Sequence, residues 1–445
     1  MKKYITIIFA ALLFIGCDDF LDIHPTGKVI AETGEEYRAL LTDVYSKIPE
    51  DRGLTTLRSD EIKADYKSLT GLDYDSYFDI WNWTDYNRNP SSLYFGWRRY
   101  YHSCYIANYI IEHKNEITKA TQKEIDQLVG ESYMMRAYMH FLLANLYAPA
   151  YTHCEPAKTR GIPLSIKADV NAVLKCSSVE QVYKQILQDI DSAAVYMNVE
   201  RWDEGLNYRF NTTTANALRA RVALYMGDWS LALQEAKKVI ALYPELEDLN
   251  KSGSLLPTNY KSVESIMALE QVITTQLMSI GYVDTTLLSL YRSGDSRKSK
   301  YFKQKNLRIF LYRERNTSEE RCTFRAAEFY LIAAEAANEL NDQEIALLYI
   351  KRLMEKRYAT DKYLEYSSAL DGLDQEALRV EIANERRREL AYQGHRWFDL
   401  RRTTQPELKK NFEDEEFTLE EGDERYTLRF PTDAVAANPE IENWK

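Results

Sequence analysis

The stretch from Thr213 to Pro244 constrains the fold more than any other part of this 445-residue chain. Thr213–Tyr225 and Trp229–Tyr243 each carry apolar residues at helical spacing and join through a short turn at Gly227-Asp228, so the two helices must fold back on one another. Small residues, Ala220, Gly227 and Ala232, fall where paired helices cross closely. Trp229 and Ile240 supply bulk, and Pro244, which has no amide to donate, stops the second helix. Arg325–Leu340 and Gln343–Arg357 repeat the arrangement around a turn at Asn341-Asp342, with Ala334, Ala337 and Ala346 in similar places. Tyr100–Lys114 and Glu124–Tyr147 form a third candidate pair. Such pairs stack so that each buries its neighbour's apolar face, which predicts a mainly α protein.

The spacing within these pairs resembles a tetratricopeptide repeat. Local signals support helices between them. Thr121 and Glu124 form a capping box ahead of Ile125, Leu128, Val129, Met135, Met139, Leu142, Leu143 and Leu146, and Pro149 ends that run. Ser178 opens another helix, with Val182, Tyr183, Ile186, Leu187 and Ile190 on one face. Ala148–Ser177 lacks helical periodicity and reads as a long excursion. The texture also changes over Glu245–Leu311, which reads as loops with short strands, for example Ser265–Val272. Tyr282–Arg315 is rich in basic residues. They either pair with acids elsewhere in the chain or form a dock for an anionic ligand or a partner protein. Asn411–Glu424 carries eight acids and no base, reads as a solvated loop, and lacks the spacing of a calcium loop.

The N-terminus points to export. Lys2 and Lys3 precede an apolar run, Ile5–Ile15, too short to span a bilayer, and Phe14-Ile15-Gly16-Cys17 resembles a lipoprotein box. The expected signal peptide is 1–16 and the mature chain 17–445, beginning at an acylated Cys17. Several acyl chains give stable anchoring where one gives marginal binding. A net charge of −11 disfavours a nucleic-acid partner. Cys104, Cys154, Cys176 and Cys322 form no metal-ligand spacing, so no metal site is expected. Cys154 and Cys176 flank one excursion, and their pairing in an oxidising compartment stays open.

The C-terminal part carries a longer signature. Glu381-Ile-Ala-Asn-Glu-Arg-Arg-Arg-Glu-Leu390 leads into Gly394-His-Arg-Trp-Phe-Asp-Leu-Arg-Arg402, which resembles a motif of the SusD/RagB family of Bacteroidetes outer-membrane nutrient-binding lipoproteins. Five further segments match that family in order: Cys17–Pro25, Trp97–Asn108, Gly130–Phe141, Phe324–Glu335, and Phe430-Pro431 with Asn438-Pro439 and Asn443. The resemblance implies a tetratricopeptide-like helical scaffold, with irregular loops and a few short strands forming a ligand face at about 50–97 and 245–323. It also implies a partner, a SusC-type TonB-dependent transporter for which such a protein acts as lid. Asp18 and Asp19 fit the family's signal for display on the cell surface. Cargo among relatives is commonly an oligosaccharide, with oligopeptides as the alternative.

Candidate contacts follow from aromatic residues outside helical periodicity. A flat ring stacks on the apolar face of a sugar or holds a peptide side chain, while nearby polar groups fix orientation. In the first segment these are Tyr66, Tyr74, Tyr77, Trp81, Trp83 and Tyr86, with Arg88. Trp81 and Trp83 lead, because an alternating pair cannot both face one helical core. In the second segment, by the resemblance, they are Tyr282, Tyr291, Arg292 and Tyr301. No catalytic residue is assigned and no cofactor is implied: nucleophile elbow, zincin, Walker and dinucleotide motifs do not occur. Glu381, Glu385 and Glu389 line one helix among arginines and read as a charge-paired face rather than paired acids. A surface glycan hydrolase using two carboxylates is the alternative from another class.

Overall fold

The computed structural model describes residues 31–65, 72–84, 95–274, 280–305, 308–310 and 317–444, with backbone only at 72–76, 305, 308–310 and 317. Cys17 lies outside the described residues. The protein is mainly helical, 54% helix and 10% strand. Ten helices carry the scaffold: α1 (Gly34–Ser46), α2 (Arg98–Glu112), α3 (Gln122–Tyr147), α4 (Val179–Tyr196), α5 (Thr212–Met226), α6 (Trp229–Leu242), α7 (Ala326–Glu339), α8 (Gln343–Glu355), α9 (Thr360–Leu370) and α10 (Gln375–Glu389). Their starts follow from local chemistry. Thr33 with Glu36, Thr121 with Glu124, and Ser178 with Gln181 form reciprocal capping boxes that satisfy orphan amides. Gly227 closes α5 in the left-handed region at φ +73°, which lets α6 begin two residues later.

Each helix packs on the next from α2 through α6, and α7 packs on α6, α8 and α10. The three expected pairs therefore exist as contacting neighbours. The chain leaves the scaffold after α6, and returns at α7 to the face that α6 left open. One core runs through this array, with Leu143, Leu218, Val222, Ala236 and Leu331 fully buried.

Among the described residues, ten short strands decorate it: β1 (Ile62–Ala64), β2 (Arg160–Pro163), β3 (Cys176–Ser178), β4 (Ser265–Met267), β5 (Gly281–Val283), β6 (Lys303–Lys305), β7 (Arg308–Phe310), β8 (Phe324–Arg325), β9 (Leu408–Phe412) and β10 (Glu415–Leu419). An antiparallel sheet in the order β1-β5-β7-β6 ties the first expected ligand segment to the second, through Ile62 opposite Val283 and Ala64 opposite Gly281. A Cβ on Gly281 would lie 2.0 Å from the Lys63 carbonyl oxygen, so only glycine allows this pairing. β4 is shorter than the expected 265–272 strand and pairs with β8.

One expectation needs correction, and one open question closes. Asn411–Glu424 is not a loop throughout, because β9 and β10 form a hairpin whose Phe412 and Phe417 pack on Phe78 and Trp81. The acids lie on its exposed positions while Phe417 and Leu419 turn inward. Cys154 and Cys176 are both free: the Cys154 thiol points to the Tyr151 carbonyl and that of Cys176 to Ile441.

The charge-paired reading of α10 holds, but apart from Arg388 the arginines that meet Glu381, Glu385 and Glu389 come from elsewhere, and most of these pairs are buried. Glu389 accepts from Arg297, Arg325 and Arg357, and Glu385 from Arg297 and Arg388. Arg297 also donates to Asp295, and both Arg325 and Arg357 donate to Glu264. The cluster balances four carboxylates against four guanidiniums, all essentially sealed from water.

Candidate functional site

A groove of about 990 Å³ opens where the Asp51–Leu54 turn meets the start of α2. It joins both segments expected to form the ligand face, since Glu50, Tyr77 and Trp97 line it together with Thr274. Its floor is built by close backbone approach. A Cβ on Gly53 would meet the Val272 carbonyl oxygen at 2.4 Å, so glycine alone lets the second segment press on the first. Asp51 then fixes the wall. Its carboxylate accepts from the Gly96 amide at 2.6 Å and the Tyr100 hydroxyl at 2.9 Å, both contacts lying beside the N-terminal turn of α2. Burial pushes that carboxyl up to about 7, against the opposing effect of these two hydrogen bonds.

Trp97 stands half-buried at the mouth, its ring 4.9 to 5.1 Å from those of Tyr101, Tyr147 and Phe430. Arg98, Arg99 and His102 follow it along the exposed face of α2. Arg98 reaches Asp433 across the opening at 3.6 Å, whereas Arg99 pairs with no carboxylate among the described residues. An apolar ring beside a few exposed donors is the composition expected of a sugar or peptide site. A second cavity, about 1200 Å³, lies beyond Phe95 against the C-terminal segment, where Arg160 stacks 4.3 Å over Phe430. Among the described residues nothing from the 245–323 segment lines it, which makes it the weaker candidate.

The expected contact residues divide sharply. Tyr77 lines the groove. Trp81 and Trp83 do not: both are core residues, and this corrects the leading expectation. Trp81 donates its indole N–H to the Ile62 carbonyl at 3.3 Å and Trp83 to the Arg58 carbonyl at 2.9 Å. Trp81 closes a helix, Leu72–Trp81, and Trp83 beyond it adopts φ +63°. That left-handed residue lets both indoles enter one core, which a continuous helix or strand would forbid. Lys410 of β9 sits with them, its ammonium 4.3 Å from the Trp83 ring and donating to the Leu57 and Trp81 carbonyls.

In the second segment, Tyr291 and Tyr301 are buried as well, and the Tyr291 hydroxyl donates to the Arg388 carbonyl at 2.8 Å. Arg292 donates to Glu381 at 2.6 Å. Tyr282 is half-buried and donates to Asp65. Tyr74 lies in the Leu72–Trp81 helix, where only the backbone is described, and Tyr66, Tyr86 and Arg88 lie outside the described residues. The groove residues that the sequence reading passed over are Glu50, Arg98, Arg99, His102 and Thr274. The signal for two of them was present: α2 opens with two arginines and no acid, against the usual preference of a helix N-terminus. Among the described residues no group of three or more metal-ligating side chains converges, and no helix is long and apolar enough to cross a membrane.

Comparison with known proteins agrees with the architecture. A family model described as starch-binding and associating with the outer membrane matches residues 19–224, and the SusD family model matches residues 292–442. SusD-like protein P38 of Formosa agariphila is 23% identical over 91% of this chain and 92% of its own. SusD-like protein P25 of the same organism is 45% identical over 85 residues, 19% of this chain and 15% of that protein. Among solved structures, a SusD superfamily protein from Bacteroides fragilis superposes with a TM-score of 0.75 at 22% identity, covering 92% of this chain and 99% of that one. A SusD-like carbohydrate binding protein from Bacteroides vulgatus gives a TM-score of 0.66 at 16% identity, covering 92% and 97%. A helical scaffold carrying a loop-built groove, matched by these two models in chain order, defines a nutrient-binding protein of the outer-membrane class. The chain belongs to the SusD/RagB family.

Proposed function

We propose that this protein is a cell-surface lipoprotein, anchored through Cys17, that captures an oligosaccharide in the groove before α2 and serves as lid of a SusC-type TonB-dependent transporter. The observation that carries the reading is the groove itself. It joins the two segments that the family resemblance assigns to the ligand face, and sets the edge of Trp97 beside Arg98, Arg99 and His102. A half-exposed indole suits the apolar face of a pyranose, and Arg99, which makes no ion pair among the described residues, supplies donors for hydroxyl or carboxylate groups. Tyr77 is the remaining candidate among the aromatic residues at this site, and Tyr66, Tyr86 and Arg88 remain proposed contacts from the adjoining sequence. The protein acts as a binder and carries out no turnover.

The test is affinity purification of the lipidated protein from outer membranes, with mass spectrometry of everything retained. A co-purifying large barrel with a ladder of hexose or hexosamine masses supports the glycan reading, whereas a ladder of peptide masses moves the cargo to oligopeptides. Absence of any barrel sinks the lid role. Titrating the recovered ligand into an Arg99→Ala variant checks the groove: losing hydrogen bonds from a charged donor costs ~1.5–3 kcal/mol, so affinity falls ~10-fold or more. Unchanged affinity places the site elsewhere.

A further inference from the structure

The groove and the second cavity share a wall made of two chain segments. Phe95 lines the cavity, while Gly96 and Trp97, the next two residues, line the groove. In the other segment, Thr432 and Val435 line the cavity while Asp433 lines the groove, all three within the short helix Thr432–Ala437. Arg98 and Asp433 join the two segments at 3.6 Å, and both side chains are exposed, 83% and 51%. An ion pair so open to water adds little to stability, so a bound molecule can replace it at small cost.

The rings of the two cavities are in contact through that wall. Trp97 meets Tyr147 at 5.0 Å and Phe430 at 5.1 Å, and both of these line the second cavity. Arg160 lies 4.3 Å over Phe430, so one phenyl ring touches both the indole and the guanidinium. The strand holds Arg160 there: β2 begins with it and ends at Pro163, whose carbonyl accepts from the Tyr101 hydroxyl of α2 at 2.8 Å. Asp423 and Glu424 line the same cavity but are taken by Arg425 at 2.6 Å and Arg429 at 2.9 Å. Among the described residues the Arg160 guanidinium makes no ion pair and no side-chain hydrogen bond. Stacking fixes its plane and leaves the donors on its edge for oxygen acceptors. A ring beside such donors repeats the composition found around Trp97 and Arg99.

We infer that the two cavities are one cleft, in which Phe430 and Arg160 form a second subsite for the oligosaccharide held at Trp97. The inference rests on the proposed capture of an oligosaccharide and deepens it by setting the size of the cargo. At about 990 and 1200 Å³, each cavity already matches the upper range for one drug-sized molecule, ~1,000 Å³. Side by side they suit a chain of several sugar units rather than a mono- or disaccharide. Nothing described from the 245–323 segment reaches the second cavity, which is why it extends the groove and does not replace it.

The test probes the full-length lipoprotein in detergent with an array of neutral, uronate-bearing and sulfated oligosaccharides in graded lengths. Titration calorimetry then measures the shortest and longest binders. Arg160→Gln is expected to weaken the longest binder ~10-fold and to leave the shortest unchanged, whereas Arg99→Ala weakens both. Ala436→Trp fills the cavity from an exposed position with Arg160 still in place, so the same length-dependent loss is expected from it. This second variant decides the matter where the Arg160 variant fails to fold. Wild-type affinity at every length in both variants overturns the inference and leaves the groove reading standing, as does an equal loss at every length. A wild-type protein that binds no member of the array overturns the oligosaccharide reading, and this inference with it.

Discussion

Replacing Glu389 by glutamine tests whether the buried ion cluster is what holds the 245–323 segment on the scaffold. Glu389 lies in α10, yet its carboxylate receives Arg297 from that segment at 2.9 Å, Arg325 from the start of α7 at 2.7 Å, and Arg357 from beyond α8 at 2.9 Å. All four side chains are at most 1% exposed. The glutamine keeps the shape and one acceptor but leaves four guanidiniums against three carboxylates. A contact pair at an effective dielectric near 20 is worth ~4 kcal/mol, part of it offset by the repulsion that neighbouring carboxylates no longer feel. Breaking one member of a buried cluster costs ~3–5 kcal/mol in practice. At ~2.1 cal/mol/K per residue, a chain of this length has a melting entropy of ~0.9 kcal/mol/K, so Tm falls by ~4 °C. Differential scanning calorimetry reads this directly. Lys351→Ala, which removes an exposed pair with Asp371, serves as control and shifts Tm by ~1 °C or less. If charge balance is the cause, Arg297→Met combined with Glu389→Gln costs less than the two single changes summed. A Glu389→Gln variant that melts with the control would refute the reasoning.

Acid should open the same cluster. Burial pushes the Glu385 carboxyl up, but Arg297 and Arg388 outweigh it and hold it at about 2, against an ordinary value of 4.5. A depressed carboxylate stabilises the fold above its unfolded value, so ~3 kcal/mol is lost as pH falls from about 4.5 to about 2; urea titrations across that window should show the loss, and Glu385→Gln should remove it. Asp51 carries the opposite sign. Raised to about 7, it favours the protonated form in the fold, so its contribution weakens stability as pH climbs from about 4 to about 7. Asp51→Asn should flatten that limb and raise stability at about pH 8, by up to ~4 kcal/mol; an unchanged limb would show that Asp51 is ionised in the fold. Gly394→Ala combines φ +68° with a Cβ 2.2 Å from the Arg52 carbonyl oxygen, so it should cost ~3 kcal/mol or more, visible as lost soluble expression or a lowered urea midpoint.

The scaffold was legible because its information is local. Capping at Thr121 and Ser178, the left-handed Gly227 and the small residues of α5 to α8 act within a few positions of one another, so sequence spacing reports them directly. The groove was half legible. Its location follows from the two interrupted segments, but its lining does not, because Asp51, Gly96 and Thr274 meet only through contacts across the fold. Trp81 and Trp83 misled for a physical reason. Alternating aromatics outside a repeat look like an exposed stripe, and nothing local says that Trp83 turns left-handed or that a lysine 327 positions beyond it, Lys410, completes their pocket. The β9–β10 hairpin was hidden the same way, since its inward phenylalanines are outnumbered by the acids on its exposed positions.

The basic run in the second segment presented a choice between docking an anion and pairing with acids elsewhere. Two of its arginines have already spent their charge. Arg297 is enclosed by Asp295, Glu385 and Glu389, and Arg292 is held by Glu381. The signature helix α10 therefore clamps residues 292–297: Glu381, Glu385 and Glu389, spaced one turn apart, receive Arg292 and Arg297 from that stretch. A buried cluster of this kind adds little net stability over an apolar core, but it accepts only a segment that brings the matching charges in the right places. On the other wall of the groove, Arg99 and His102 at the start of α2 are exposed, and Arg99 makes no ion pair among the described residues.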